Sequence, residues 1–254
     1  MDSKPRTTLP LDILIYIIDL LAGNYCIKSL QTLSLACKSM VPLCRKRLFS
    51  KLLLGRDKSY SERFSDLLLK TPDIASYVRS LDYSIYNPIS DHELNILDML
   101  KKHSSLQSVT LFSTQLYWNN FPESMRLSLI FLIQLPTVAQ LAIYCIKRFP
   151  VTALSGCSNL INLQLTDVEL SPPEVNQVIS SSKIPTPISL YFDGRTYPDL
   201  NFAHLLDGLI VDFSRLQKAE FVVKSRRVIC QLNELIKETR WLEYFAIRIY
   251  IIGE

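Results

Sequence analysis

With 254 residues, 48% of them hydrophobic and 20% charged, the chain can bury a sizeable core and does not have the composition of a disordered segment. Its net charge of +4 is too small for a strong phosphate footprint, and six glycines argue against glycine-built phosphate loops. The six cysteines contain no C-x-x-C pair, the shortest gap being the 7 residues from Cys37 to Cys44, so free thiols in a reducing cytoplasmic or nuclear compartment are expected rather than a metal or disulfide framework.

The first element is a helix over LPLDILIYIIDLL, Leu9 to Leu21. It is apolar on two sides. Ile13, Ile17 and Leu20 make one stripe, and Leu14, Ile18 and Leu21 make a second, whereas a surface helix needs only one. Asp12 and Asp19 inside the run speak against a secretory signal. A basic run then takes in Lys38, Arg45, Lys46, Arg47, Lys51, Arg56 and Lys58. Phe49 and Tyr60 interleave it as in a nucleic-acid surface. A solvated helical face over Leu48, Leu52 and Leu53 is the favoured reading, and no nucleic-acid partner is expected.

Beyond residue 75 a short strand of pattern L-x-x-L-x-L recurs, usually after a helical stretch. It is seen in VRSLDY, LQSVTL, VAQLAI, LINLQL, PTPISLYF, LQKAEF and LEYFAI. Its fourth residues fall at 81, 109, 141, 163, 188, 219 and 245, a spacing near 27 residues, which is that of a leucine-rich repeat. Alternate strand residues point to opposite faces, so the leucines face inward. One unit cannot bury such a face alone, and neighbours must stack. Helices are expected between the strands. One opens with Ser90 three residues ahead of Glu93, a capping box, and another lies in PPEVNQVISSS, residues 172–182. The 20 uncharged residues from Leu127 to Ile146 hold Gln134, Pro136, Thr137 and Gln140 at their middle. They are expected to form a buried helix ending at Leu135-Pro136 and then a strand, not a membrane span. A doubly wound α/β sheet is the competing architecture, although no strand ends in a glycine-rich turn.

Taken with its flanks, the N-terminal segment resembles the F-box, the helical module that docks substrate receptors onto Skp-type adaptors of cullin–RING ubiquitin ligases. The matching residues are Leu9-Pro10, Asp12, Ile13, Ile17 and Leu21, then Leu30, Leu33, Leu35 and Cys37-Lys38, and finally Leu48-Phe49. Where the family often has a tryptophan after the second helix, this chain has Met40-Val41-Pro42. An F-box followed by leucine-rich repeats is a familiar arrangement among fungal F-box proteins. The resemblance implies an α/β chain with a tail over 1–8, a three-helix F-box over 9–55, a helical connector over 56–76 and an irregular leucine-rich-repeat-like solenoid over 77–254. It implies a Skp-type adaptor, and through it a cullin, bound by Leu9, Pro10, Ile13, Leu14, Ile17, Leu30, Leu33 and Cys37. The repeats would hold a target protein. Strand alternation puts Asp82, Thr110, Gln164, Tyr191 and Glu220, with Ala142 and Ala246, on the face away from the helices. The alternative is a repeat scaffold whose N-terminal helices only cap the stack.

Catalytic chemistry is not expected. His92, His103 and His204 are the only histidines and have no matching metal partners in sequence. No G-x-S-x-G, G-x-x-x-x-G-K or H-E-x-x-H occurs. No catalytic residue, metal or cofactor is assigned. Tyr117-Trp118, in the loop STQLYWNNFPES, is either an aromatic interface anchor or, the preferred reading, a cap on the neighbouring helix.

Overall fold

Eight short strands lie side by side in one sheet, every pair parallel and the spatial order following the chain. They are β1 (Lys51–Leu54), β2 (Ser80–Ile85), β3 (Ser108–Ser113), β4 (Gln140–Tyr144), β6 (Asn162–Thr166), β8 (Ser189–Asp193), β9 (Lys218–Val223) and β10 (Tyr244–Ile249). Two-residue strands β5 (Phe149–Pro150) and β7 (Leu170–Ser171) pair separately. The computed structural model describes residues 10–23, 26–36, 38–86, 88–173, 184–194, 203–206, 210–224, 232–233, 235–237 and 239–249. A doubly wound sheet reverses its strand order at a switch point. This sheet has no reversal, so that alternative is set aside.

Each strand is joined to its predecessor by the same backbone device. The Ser50 carbonyl accepts the N–H groups of both Arg79 and Ser80, the Arg79 carbonyl those of Gln107 and Ser108, and the Gln107 carbonyl those of Ala139 and Gln140. Ala139, Ile161, Ile188 and Gln217 continue the series to Tyr244. This common register corrects two expectations. Leu163 pairs with Leu190, not Ile188, so the repeating position of that unit lies two residues later than the sequence pattern suggests. Lys51–Leu54, expected as part of a basic helical face, forms the edge strand β1, with Leu52 and Leu54 buried and Leu53 exposed. Only four residues long and flanked by charge, β1 has too little alternation to stand out.

The inward residues form two continuous rungs. Leu52, Leu81, Val109, Leu141, Leu163, Leu190 and Ala219 pair across the sheet, and Leu54, Tyr83, Leu111, Ile143, Leu165, Phe192 and Phe221 pair beside them. All fourteen are buried. Helices α4 (Lys58–Lys70), α5 (Asp91–His103) and α6 (Glu123–Ile133) pack in sequence along this face. They contribute Phe64 and Leu68, Ile96, Leu97 and Leu100, and Met125, Leu129, Leu132 and Ile133 to the same core. The apolar stretch after Leu127 is helix α6 and then β4, and no helix among the described residues is long and apolar enough to cross a membrane. α7 (Ala203–Leu206) is a single turn, and 174–183, within which most of another helix was expected, falls outside the described residues. Gly55 turns the chain out of β1 with φ at +85°, and a Cβ there would overlap the Ser84 carbonyl. Only glycine fits.

The N-terminal segment makes a separate small core. α1 (Leu11–Gly23), α2 (Ile27–Ala36) and α3 (Val41–Leu48) enclose Ile18, Leu30, Met40 and Cys44. Arg47 Nε donates to Asp19 Oδ1 at 2.6 Å and ties α3 to α1. α3 packs on the six-residue 3-10 segment Pro72–Tyr77, and Phe49 reaches the main core.

The capping box at α5 has a further partner. Ser90 Oγ accepts the Glu93 N–H at 3.3 Å, as expected, while the buried Glu93 carboxylate takes a hydrogen bond from Tyr83 Oη at 3.1 Å. Burial pushes the Glu93 pKa up, and it outweighs the opposing pull of Tyr83, the Ser90 N–H and Lys58. A raised carboxyl pKa favours folding in acid, and that contribution is lost as pH rises through the folded-state value. Glu93→Gln is therefore expected to melt above the parent protein at pH 8, with the gap closing as pH falls below the ordinary carboxylate range. Thermal melts across pH check this, and a gap independent of pH would contradict it.

Candidate docking surfaces

Helix α1 settles where its two stripes go. The stripe of Leu14, Ile18 and Leu21 turns inward onto α2 and α3, with Ile18 only 2% exposed. The other stays in solvent. Ile13 is 43% exposed, Ile17 37% and Leu20 48%, with Tyr16 beside them at 64%. Among the described residues, nothing covers this second stripe. Ile27 and Leu35 on α2 are exposed as well. Scattered apolar residues on a surface need no explanation, but a contiguous apolar helix face marks a contact surface. At about 25 cal/mol per Å², covering such a face is strongly favourable.

The residues expected to meet an adaptor therefore divide. Pro10, Ile13 and Ile17 are exposed. Pro10 lies just before the helix, where its carbonyl accepts the Leu14 N–H at 3.2 Å. Leu14 and Leu33 are half-buried against the three-helix core, and Leu30 is almost completely buried in it. The amphipathic period of α2 is too weak in sequence to tell its inner from its outer residues. Leu9 and Cys37 lie outside the described residues.

A second surface is the side of the sheet opposite the two buried rungs. Leu53, Asp82, Thr110, Ala142, Gln164, Tyr191, Glu220 and Ala246 pair one to the next across all eight strands, a single row at one height. All the positions expected from alternation lie in it. From Asp82 to Ala246 every member is half-buried, as the exposed side of a sheet requires. Its charges sit at the two ends and are paired there, Lys51 Nζ to Asp82 Oδ2 at 2.7 Å and Arg248 to Glu220 at 2.9 Å. Between them the row is uncharged, and Phe112 and Tyr144 stand side by side in the neighbouring row. Burial, with the Asp82 carboxylate as a lesser cause, raises the Tyr144 pKa and keeps its phenol protonated. The middle of this face can offer hydroxyl, amide and ring contacts but no net charge.

Other candidates resolve into structure. Trp118 is 3% exposed and meets Phe121 and Phe149 edge-on, at 5.6 Å and 5.0 Å between ring centroids. It is a core residue, so both readings of it as an interface anchor or a helix cap are replaced. Tyr117 remains exposed, with Lys147 Nζ 5.3 Å from its ring centre. Phe49 and Tyr60 pack on Phe64, and Arg47 and Lys51 hold Asp19 and Asp82. The basic run is thus distributed over α3, β1 and α4, and its aromatic residues are not free to stack on bases. His92 and His103 lie at the two ends of α5, and among the described residues no group of three or more His, Cys, Asp or Glu could hold a metal ion. Cys44 and Cys157 are buried free thiols, and burial pushes the Cys157 pKa up to about 12.

No family model matches the chain, and no curated protein or solved structure does either.

The division of α1 has a direct consequence for stability. Ile18→Ala is expected to cost about 2–5 kcal/mol, the range for a truncated core aliphatic, whereas Ile17→Ala should change stability by only about 0.5 kcal/mol. Urea unfolding followed by circular dichroism measures both. Equal losses would mean that the outer stripe is covered within the chain.

Proposed function

We propose that the chain is a non-catalytic substrate receptor of a cullin–RING ubiquitin ligase. In this reading the three-helix unit is an F-box that docks a Skp-type adaptor through the outer face of α1, at Pro10, Ile13 and Ile17, with Leu9 preceding them. The parallel sheet and its helices form a leucine-rich-repeat-like solenoid. Its target protein lies against the row from Asp82 to Glu220. The observation that carries the reading is the outer stripe of α1, an apolar helix face that its own chain leaves in solvent. The F-box resemblance of the surrounding residues supplies the partner. Receptors of this class contribute effective concentration: the adaptor and target are held on one body, and transfer chemistry is carried out by other subunits.

A second reading is a repeat scaffold in which the three helices only seal the β1 end of the stack. The packing of α3 against the Pro72–Tyr77 turn, and of Phe49 against the main core, favours it. The two readings differ in whether the outer face of α1 has a partner.

Calorimetry of the purified chain against an adaptor–cullin subcomplex separates them. Saturable binding is expected, weakened at least tenfold in a Pro10→Ala/Ile13→Ala/Ile17→Ala variant, since each buried anchor contributes about 1–3 kcal/mol. A folded chain that gives no binding, or a variant that binds as well as the parent, would overturn the receptor reading and leave the scaffold.

A further inference from the structure

The turns leading into β9 and β10 break a pattern that the earlier turns keep. Strand pairing of Lys218 with Tyr244 places Arg215 and Trp241 at the same position, three residues ahead of their strands. In the preceding units this position holds Tyr77, Ser105, Thr137, Asn159 and Thr186, none of them charged. At the last two turns it becomes an arginine beside a tryptophan, and Arg240 precedes the tryptophan.

These turns border an open cleft of about 520 Å³ lined, among the described residues, by Asp212, Ser214, Arg215, Lys237, Arg240 and Trp241. The volume falls within the range of small-molecule sites, about 300–1,000 Å³. Among the described residues, three cationic side chains and one carboxylate line it, and that carboxylate is engaged in the turn itself, accepting the Ser214 N–H at 2.8 Å. Trp241 is 68% exposed, which is unusual for so large an apolar surface. Exposed arginines with an exposed indole combine two complementary affinities. Guanidinium forks bind phosphoryl oxygens in pairs, and an indole face stacks on a planar ring.

We infer that this cleft binds an aromatic phosphate monoester, its phosphoryl group held by Arg215 and Arg240 and its ring laid on Trp241. The inference is independent of the docking surfaces described above. The ester could reach the site as a free small molecule or as a phosphorylated tyrosine of a protein, and the chemistry recognised is the same.

Phenyl phosphate is the minimal probe, with inorganic phosphate and phenol as its two halves. The fluorescence of the full chain reports directly, because Trp241 is exposed and Trp118, the other tryptophan, is 3% exposed in the core. A saturable change with phenyl phosphate is expected, at least tenfold tighter than with either half. It should vanish in Trp241→Phe, and calorimetry should show binding weakened at least tenfold in both Arg215→Gln and Arg240→Gln, with unchanged melting temperatures. Free phosphotyrosine and a short phosphotyrosine peptide then distinguish the sources, the tighter of the two naming the natural form. No saturable response at millimolar phenyl phosphate would overturn the inference. So would equal binding of inorganic phosphate and phenyl phosphate, or affinity unchanged in both arginine variants. Should either arginine variant melt early, Arg215→Lys and Arg240→Lys keep the charge without the paired N–H fork, and binding as tight as the parent's in both would overturn the inference.

Discussion

The architecture depends on one constraint: every strand has a face that must leave water and no means of covering it alone. The two inward rungs, from Leu52 to Ala219 and from Leu54 to Phe221, are desolvated jointly by the neighbouring strands and by α4, α5 and α6. Because each strand begins on the doubly accepting carbonyl of the unit before it, the rungs stay in register over the whole sheet. Spacing between units can vary while this junction stays fixed. The short crossover between β4 and β6 manages with a 3-10 turn, Val151–Leu154, where α6 serves between β3 and β4. Leucine can likewise give way to Phe192 and Phe221 toward the C-terminal end, whose rings lie 6.2 Å apart.

That constraint also produces the surface. With one side of the sheet fixed as core, alternation leaves a row of outward residues aligned to within a single register position. Its two carboxylates, Asp82 and Glu220, are paired at the ends with Lys51 and Arg248, and an uncharged band with Phe112, Tyr144 and Tyr191 lies between them. A surface like this discriminates by shape and hydrogen bonding more than by long-range attraction.

Much of this was legible from period alone. Strands with two or three inward leucines, the capping box at Ser90, the helix break before Pro136 and the outward row from Asp82 to Ala246 follow from spacings of 2 and 3.6 residues. What escaped had a shorter or weaker signal. β1 offers only Leu52 and Leu54 amid basic residues, and β5 and β7 are two residues long. The shift from Ile188 to Leu190 needed the strand pairing, because both residues are aliphatic and two apart. In the three-helix unit, the sequence marks α1 as apolar on two sides but does not say which faces inward. Leu14, Leu30 and Leu33 go to the core because α2 and α3 approach from that side, a tertiary fact. Trp118 was ambiguous for the same reason: its partner Phe149 lies far along the chain.

The outer face of α1 is where fold and proposed function meet. Ile13, Ile17 and Leu20 form an exposed apolar stripe on a helix whose other side packs on α2 and α3. Hydrogen exchange of the full chain, alone and saturated with a Skp-type adaptor, tests this most directly, because amides of a helix slow when its exposed face is covered. The account predicts slowed exchange confined to α1 and the adjoining α2, with the strands unchanged. Exchange in α1 that is indifferent to the adaptor would contradict it.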